Sequence, residues 1–178
     1  MEKIKIQYYN SAFGELILGS FEDKLCLCDW RYRKMRKVID ERIQNGLSAT
    51  YEASESPIIH ETIKQLQEYF NKKREEFEIP LNLVGTEFQQ KVWNALVQIP
   101  FGHTETYLSL AQKIDKVKAI RAVAAANGAN AISIIVPCHR IIGSNKQLVG
   151  YAGGLQAKKK LLQLESLVPD SEQLQLFD

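Results

Sequence analysis

Along the first third of the chain, Ile4, Ile6 and Tyr8 alternate with polar residues, which is the period of a half-buried strand. Residues 10–14 read as a turn. Residues 16–21 and 25–30 read as two more strands around the polar Glu22-Asp23-Lys24. The period then lengthens, and residues 31–43 form a basic helical stretch closing near Asn45-Gly46. Ser56-Pro57 predicts a helix start, with serine as cap and proline in the first turn. Ile59, Ile63, Leu66 and Phe70 supply the apolar stripe behind it. Phe77, Ile79 and Leu81 alternate again, with Pro80 marking an edge strand or a strand end.

Beyond residue 85 the pattern is mostly helical. Thr86-Glu87-Phe88-Gln89 has the form of a capping box, and Phe88, Val92, Ala95, Leu96 and Ile99 follow on one face until Pro100-Phe101-Gly102 stops the helix. Thr106 predicts the cap of a short helix carrying Leu108, Ala111 and Ile114. Residues 116–127 are alanine-rich, and Asn127-Gly128 is a helix-end signal. Two short helices joined by a tight turn fit either a helix-turn-helix or an ordinary helical hairpin. Residues 132–136 predict a buried strand ending at Pro137, and residues 156–164 a last helix. The expected organisation is α+β: a β-rich domain over 1–84, a mostly helical domain over 85–167, and a tail over 168–178.

Composition narrows the class. A chain of 178 residues with 45% hydrophobic content can bury a core without disulfides, which excludes disorder as its main state. No apolar run approaches the ~20 residues of a membrane span. The start, Met1-Glu2-Lys3-Ile4-Lys5, has no apolar signal region, so a cytoplasmic protein is expected. Three cysteines, at 26, 28 and 138, fit a reducing compartment with no disulfide framework. The net charge of +2 hides an asymmetry. Residues 86–165 hold ten basic and four acidic side chains, whereas residues 166–178 hold three acidic ones and no basic one. The basic segment is either a polyanion-binding surface or a solvated face.

The reactive candidate is Cys138, in Val136-Pro137-Cys138-His139-Arg140-Ile141-Ile142. A cysteine on an apolar strand is usually an inert core residue. This one follows a proline and precedes His139 and Arg140, neighbours that favour a nucleophilic thiolate. Successive strand residues point to opposite faces, so His139 can assist Cys138 only if the chain turns there or a water bridges them. A base also wants an orienting acceptor, and Glu165 on the last helix is a candidate. Cys26 and Cys28 share a predicted strand, far in sequence from His60 and His103, and show no metal-ligand spacing. No phosphate-cradling glycine loop or dinucleotide fingerprint is present.

These residues carry a resemblance. The chain resembles the O6-alkylguanine-DNA alkyltransferases, also called methylated-DNA–protein-cysteine methyltransferases. Pro137-Cys138-His139-Arg140 matches the family's active-site motif. Tyr107, Arg121, Asn130, Gly150-Tyr151-Ala152-Gly153-Gly154-Leu155 and Glu165 fall at matching spacings. The match is strong over about 86–166 and weaker over 1–85, where the family has a small β-rich domain of ribonuclease-H-like shape. The resemblance implies repair by direct reversal, with Cys138 taking the alkyl group irreversibly from O6-alkylguanine (or O4-alkylthymine) in duplex DNA. It implies minor-groove binding through a helix-turn-helix with the damaged base flipped out. Arg121 and Ala122 would lie on the DNA, with Arg121 filling the vacated space. Tyr107 would donate to the purine, and His139 with Glu165 would take the thiol proton. Asn130 would brace the turn before the active-site strand. Pro137, Ile141, Tyr151 and Ala152 would shape the pocket, with backbone groups around Cys138, Ile141 and Ala152 reading the base edge. No cofactor and no metal are implied, because the DNA is the alkyl donor, and a monomer is expected. Ala131 and Ser133 stand where some members have proline, which bears on the range of alkyl groups accepted.

The tail ends in Gln173-Leu174-Gln175-Leu176-Phe177-Asp178. Gln173, Leu174, Leu176 and Phe177 resemble the motif by which bacterial DNA-processing proteins dock on the replication sliding clamp. The other reading is a tail packed on the body. The competing reading of the whole chain is a protein that recognises alkylated lesions through its helix-turn-helix without transferring the group. The presence of Cys138 argues against it.

Overall fold

A computed structural model of the chain describes residues 1–166. It divides into two compact units. One comprises Met1–Thr86 with Ala131–Ile135; the other comprises Glu87–Asn130 and the described residues from Val136 on.

The first unit is a four-stranded sheet in the order β3-β2-β1-β4, built from β1 (Glu2–Ser11), β2 (Gly14–Phe21), β3 (Lys24–Trp30) and β4 (Ala49–Ala53). The first three strands form an antiparallel meander, and β4 returns parallel to β1 after helix α1 (Arg36–Leu47). Residues 16–21 of β2 and 25–30 of β3 are buried throughout, so these strands are covered on both faces. Gly19 lies in β2 where an added Cβ would come within 3.0 Å of the Leu27 side chain, and the sheet packs tightly there. Ile39 and Ile43 of α1 pack with Ile4, Ile17, Leu27 and Ala49. Helix α2 (Pro57–Phe70) starts as its sequence predicts, the Ser56 side chain accepting from the Ile59 amide.

The helix expected over 31–43 runs instead over Arg36–Leu47, past Asn45-Gly46 to a left-handed Ser48, and two strand expectations fail in this unit. Tyr8 is half exposed rather than buried, and the Arg31 guanidinium lies 3.9 Å over its ring. The alternating Phe77, Ile79 and Leu81 form no strand beyond a single bridge from Leu81 to Leu25. The reason is a competing partner: the Gln65 side chain of α2 accepts from the Glu78 amide and donates to the Glu78 carbonyl, taking the bonds a neighbouring strand would take.

The second unit holds α3 (Glu87–Val97), β5 (Glu105–Thr106), α4 (Tyr107–Lys113), α5 (Ile120–Gly128), β6 (Ile141–Ile142) and α6 (Leu155–Glu165). Trp93 of α3 is fully buried and donates its indole hydrogen to the Ala126 carbonyl of α5 at 2.8 Å. Thr106 caps α4 through the Ser109 amide. Asp115 takes a left-handed turn, and α5 follows. The expected helix end at Asn127-Gly128 shifts: α5 runs through Gly128, and Ala129 follows in right-handed conformation. β5 pairs in parallel with β6, which places the chain after Cys138 beside the start of α4. Among the described residues, no helix is long and apolar enough to cross a membrane.

Candidate active site

The segment before the nucleophile candidate corrects the sequence reading. Residues 132–136 are buried, as expected, but are not a strand: Ile132 makes one bridge to Cys28, and Ile134 has φ +73. The β-branched run satisfies the burial pattern of a strand while the backbone turns. At Asn130 the side-chain amide donates to the Val136 carbonyl at 2.8 Å, bracing that turn from within the second unit.

The chain then winds into a 3-10 turn, Cys138–Arg140. This turn removes the geometric objection that adjacent strand residues face apart. Cys138, His139 and Arg140 are all buried. His139 Nε2 lies 2.8 Å from Glu165 Oε1. Arg140 holds the same carboxylate with two bonds, Nε to Oε2 at 2.9 Å and Nη2 to Oε1 at 2.8 Å, and donates a third to the Ile99 carbonyl at 2.6 Å. Burial pushes the Glu165 carboxyl up, but the bonds and charges of His139 and Arg140 outweigh it and hold it at about 2. Glu165 is therefore an anion at neutral pH. Burial pulls the His139 imidazole below its ordinary value. Glu165 opposes that pull, and the cations Arg140 and Lys158 add to it. We take His139 as neutral at rest. An anionic acceptor at Nε2 puts the ring hydrogen there, so Nδ1 carries a lone pair. Nδ1 is buried and has no protein hydrogen-bond partner.

Two further side chains interact electrostatically with Cys138. Tyr107, at the start of α4, is half-buried. Burial and the nearby Cys138 raise its phenol while a hydrogen bond with Asn127 lowers it, leaving it above its ordinary value and a donor at neutral pH. Lys158 of α6 is fully buried and donates to the carbonyls of Ile141 at 2.5 Å, Val149 at 3.0 Å and Gly150 at 3.4 Å. Burial holds its ammonium down at about 8, against the pull of Cys138. Sequence reasoning gave Lys158 no role, although the signal was there. Lys158 and Glu165 are seven residues apart, two helical turns, on the face that buries Leu161 and Leu162. A charged residue on such a face needs partners. Arg140, quoted as part of the motif, also emerges as the second clamp on Glu165.

Other candidates lie around this centre. The His139 and Tyr151 rings meet edge to face at 6.4 Å between centroids. Ile141 is buried in β6 directly after the turn, and Ala152 is half-buried beside Tyr151. Pro137 is buried ahead of Cys138. Gly102 closes in from the loop after α3. Its φ is positive, and a Cβ there would lie 3.2 Å from the Glu165 carbonyl oxygen, so both backbone and space favour glycine. Arg121 and Ala122 stand apart, exposed in the first turn of α5. Gln173, Leu174, Leu176 and Phe177 lie outside the described residues.

Comparison with known proteins identifies the class. A family model for the 6-O-methylguanine DNA methyltransferase DNA-binding domain matches residues 87–167, and one for the ribonuclease-like domain of the same family matches residues 4–83. The chain belongs to the 6-O-methylguanine-DNA methyltransferase family. It is 41% identical to the constitutive methylated-DNA–protein-cysteine methyltransferase of Bacillus subtilis, over 91% of this chain and 97% of that protein. It is 51% identical to the methylated-DNA–protein-cysteine methyltransferase of Methanosarcina barkeri, over 89% and 96%. Among solved structures, Mycobacterium tuberculosis OGT in complex with DNA superposes with a TM-score of 0.77 at 36% identity, covering 99% of both chains.

Proposed function

We propose that Cys138 accepts the alkyl group, so that the chain acts as a methylated-DNA–protein-cysteine methyltransferase in DNA repair. The observation that carries this assignment is the turn at Cys138 backed by the buried Glu165–His139 pair. The neutral His139 Nδ1 takes the thiol proton through a water. The Cys138 thiolate attacks the alkyl carbon in line, the S–C bond forms, and the C–O6 bond breaks with its electron pair going to the purine. Tyr107 donates to the purine as that charge develops, and the base leaves as guanine after taking up a proton. The product is S-alkylcysteine. A thioether has no easy reversal, so each molecule repairs one lesion, and the alkyl donor is the DNA itself.

Recognition follows from the exposed start of α5. Arg121 and Ala122 meet duplex DNA from the minor groove, and the lesion base is flipped toward Cys138 with Arg121 filling its place. Flipping costs a few kcal/mol, less for a poorly paired base, which itself favours lesions. Backbone groups around Cys138, Ile141 and Ala152 read the base edge, and the Asn130 brace keeps the segment before the turn in place. A reducing cytoplasm keeps the thiol available.

The decisive test is intact mass after mixing excess protein with duplex DNA carrying one O6-methylguanine. The expected result is one added methyl group on the wild type and none on Cys138→Ser. Lesion binding without a mass gain would instead favour recognition without transfer.

The tail supports a second contact. Gln173, Leu174, Leu176 and Phe177 offer a polar anchor and spaced apolar side chains suited to the pocket of a replication sliding clamp. Deleting residues 173–178 should leave methyl transfer in solution unchanged and abolish binding to the clamp in a pull-down or titration. Clamp affinity unchanged by the deletion would refute this role.

A further inference from the structure

Asp29, at the end of β3, is fully buried and none of the chemistry above uses it. Its carboxylate accepts from Arg33 Nη1 at 3.2 and 3.0 Å and from Arg36 Nη1 at 2.9 Å. Its Oδ1 also accepts the Ser133 hydroxyl at 3.0 Å. Ser133 is itself fully buried, in the Ala131–Ile135 segment of the first unit. Two backbone bonds lace that segment onto β3: the Cys28 amide to the Ala131 carbonyl at 2.9 Å, and the Ser133 amide to the Cys28 carbonyl at 2.6 Å. The next residue, Ile134, is β-branched, buried and at φ +73, a conformation that persists only where its surroundings over-determine it. Five residues after Ser133 comes Cys138.

A buried carboxylate is costly unless paired and hydrogen-bonded. Here two arginines neutralise it, and its remaining acceptor capacity goes to a serine in the strained segment. We infer that Asp29, held by Arg33 and Arg36, is a positioning residue for alkyl transfer. Through Ser133 it fixes the strained segment from which the chain enters the Cys138 turn. The inference rests on Cys138 being the acceptor. It also gives Ser133 a specific use: a proline there would lack both the amide and the hydroxyl that tie the segment down.

Single-turnover transfer over a range of lesion-duplex concentrations separates a saturating rate from a half-saturating concentration. Ser133→Ala should lower the saturating rate about tenfold, as expected for small misplacement of a reacting group, with the half-saturating concentration and the folded fraction unchanged. Asp29→Asn should act in the same direction. The double variant should be no slower than the slower single one, because both remove one link. Where Asp29→Asn does not fold, Ser133→Ala decides alone. A folded Ser133→Ala with the wild-type saturating rate would overturn the inference. So would a loss confined to the half-saturating concentration, or losses that multiply in the double variant. A wild type that gains no methyl group would instead refute the assignment of Cys138.

Discussion

Glu165→Gln is expected to slow methyl transfer by about 10²–10⁴-fold, the span lost with a general base. It should also cost about 3–5 kcal/mol of stability, the cost of stranding one member of a buried ion pair. Glu165 is 1% exposed and accepts from His139 and twice from Arg140. An amide removes the charge, leaves Arg140 buried without its counter-ion, and no longer fixes the His139 ring hydrogen at Nε2. Transfer kinetics and urea unfolding measure the two losses separately. Adding Arg140→Met removes the stranded cation, so the double variant should regain much of the stability while transfer stays slow. Transfer that recovers in step with stability would show that Glu165 serves the fold alone. The pH dependence has a definite sign. The folded-state value of about 2 lies below the ordinary 4.5. The group's stabilisation, about 3 kcal/mol at 1.36 kcal/mol per pH unit, is therefore complete above pH 4.5 and lost as pH falls towards 2. Glu165→Gln lacks that window. On the same footing, His139 is held below its ordinary 6.5, so transfer should fall with acidification only below that pH, as the base protonates.

Much of this site could be read from residue order because its parts are local. The cap at Ser56, the cap at Thr106 and the strands over 16–21 and 25–30 rest on short-range signals, and each forms. Cys138 and His139 are neighbours in sequence, and Glu165 lies on a helix whose period is visible. What stayed hidden depends on distant partners. The run over 132–136 has the composition of a buried strand, but the tie from Ser133 to Asp29 spans 104 positions and no local pattern records it. The alternation over 77–81 was legible, whereas the Gln65 side chain that takes the backbone bonds of Glu78 was not. β4 is short and lacks alternation, and it forms because β1 offers a parallel edge. The Asn127-Gly128 signal misplaced the helix end by little, since α5 needs no left-handed cap when Ala129 continues in right-handed conformation. Lys158 was legible in principle from its spacing to Glu165. Its three carbonyl acceptors, from β6 and the loop after it, were not.

Lys158→Met should leave stability little changed at pH 7 and cost about 3 kcal/mol more by pH 10.5, at 1.36 kcal/mol for each pH unit between the folded and unfolded titrations. The wild-type ammonium is fully buried and held at about 8, against an ordinary value of 10.5. Below pH 8 the lysine is charged in both folded and unfolded chains, and the fold bears the cost of burying that charge. Between pH 8 and 10.5 the unfolded chain binds the proton and the folded chain does not, so wild-type stability rises through this window. Above 10.5 the difference is constant. Methionine matches the aliphatic stem of the side chain and never carries the charge. At neutral pH the relief from charge burial therefore offsets the bonds lost to Ile141, Val149 and Gly150, of which the buried Ile141 carbonyl costs about 1–3 kcal/mol when left bare and the part-buried other two can turn to water. As pH rises, the relief disappears and the lost bonds remain. Urea unfolding of both proteins at pH 7, 8, 9 and 10.5 measures the gap directly, and the comparison cancels the titration of groups they share. A gap that stays flat would show that Lys158 keeps its ordinary basicity in the fold. A gap that narrows would show that the cation stabilises the site, with Cys138 as its counter-charge.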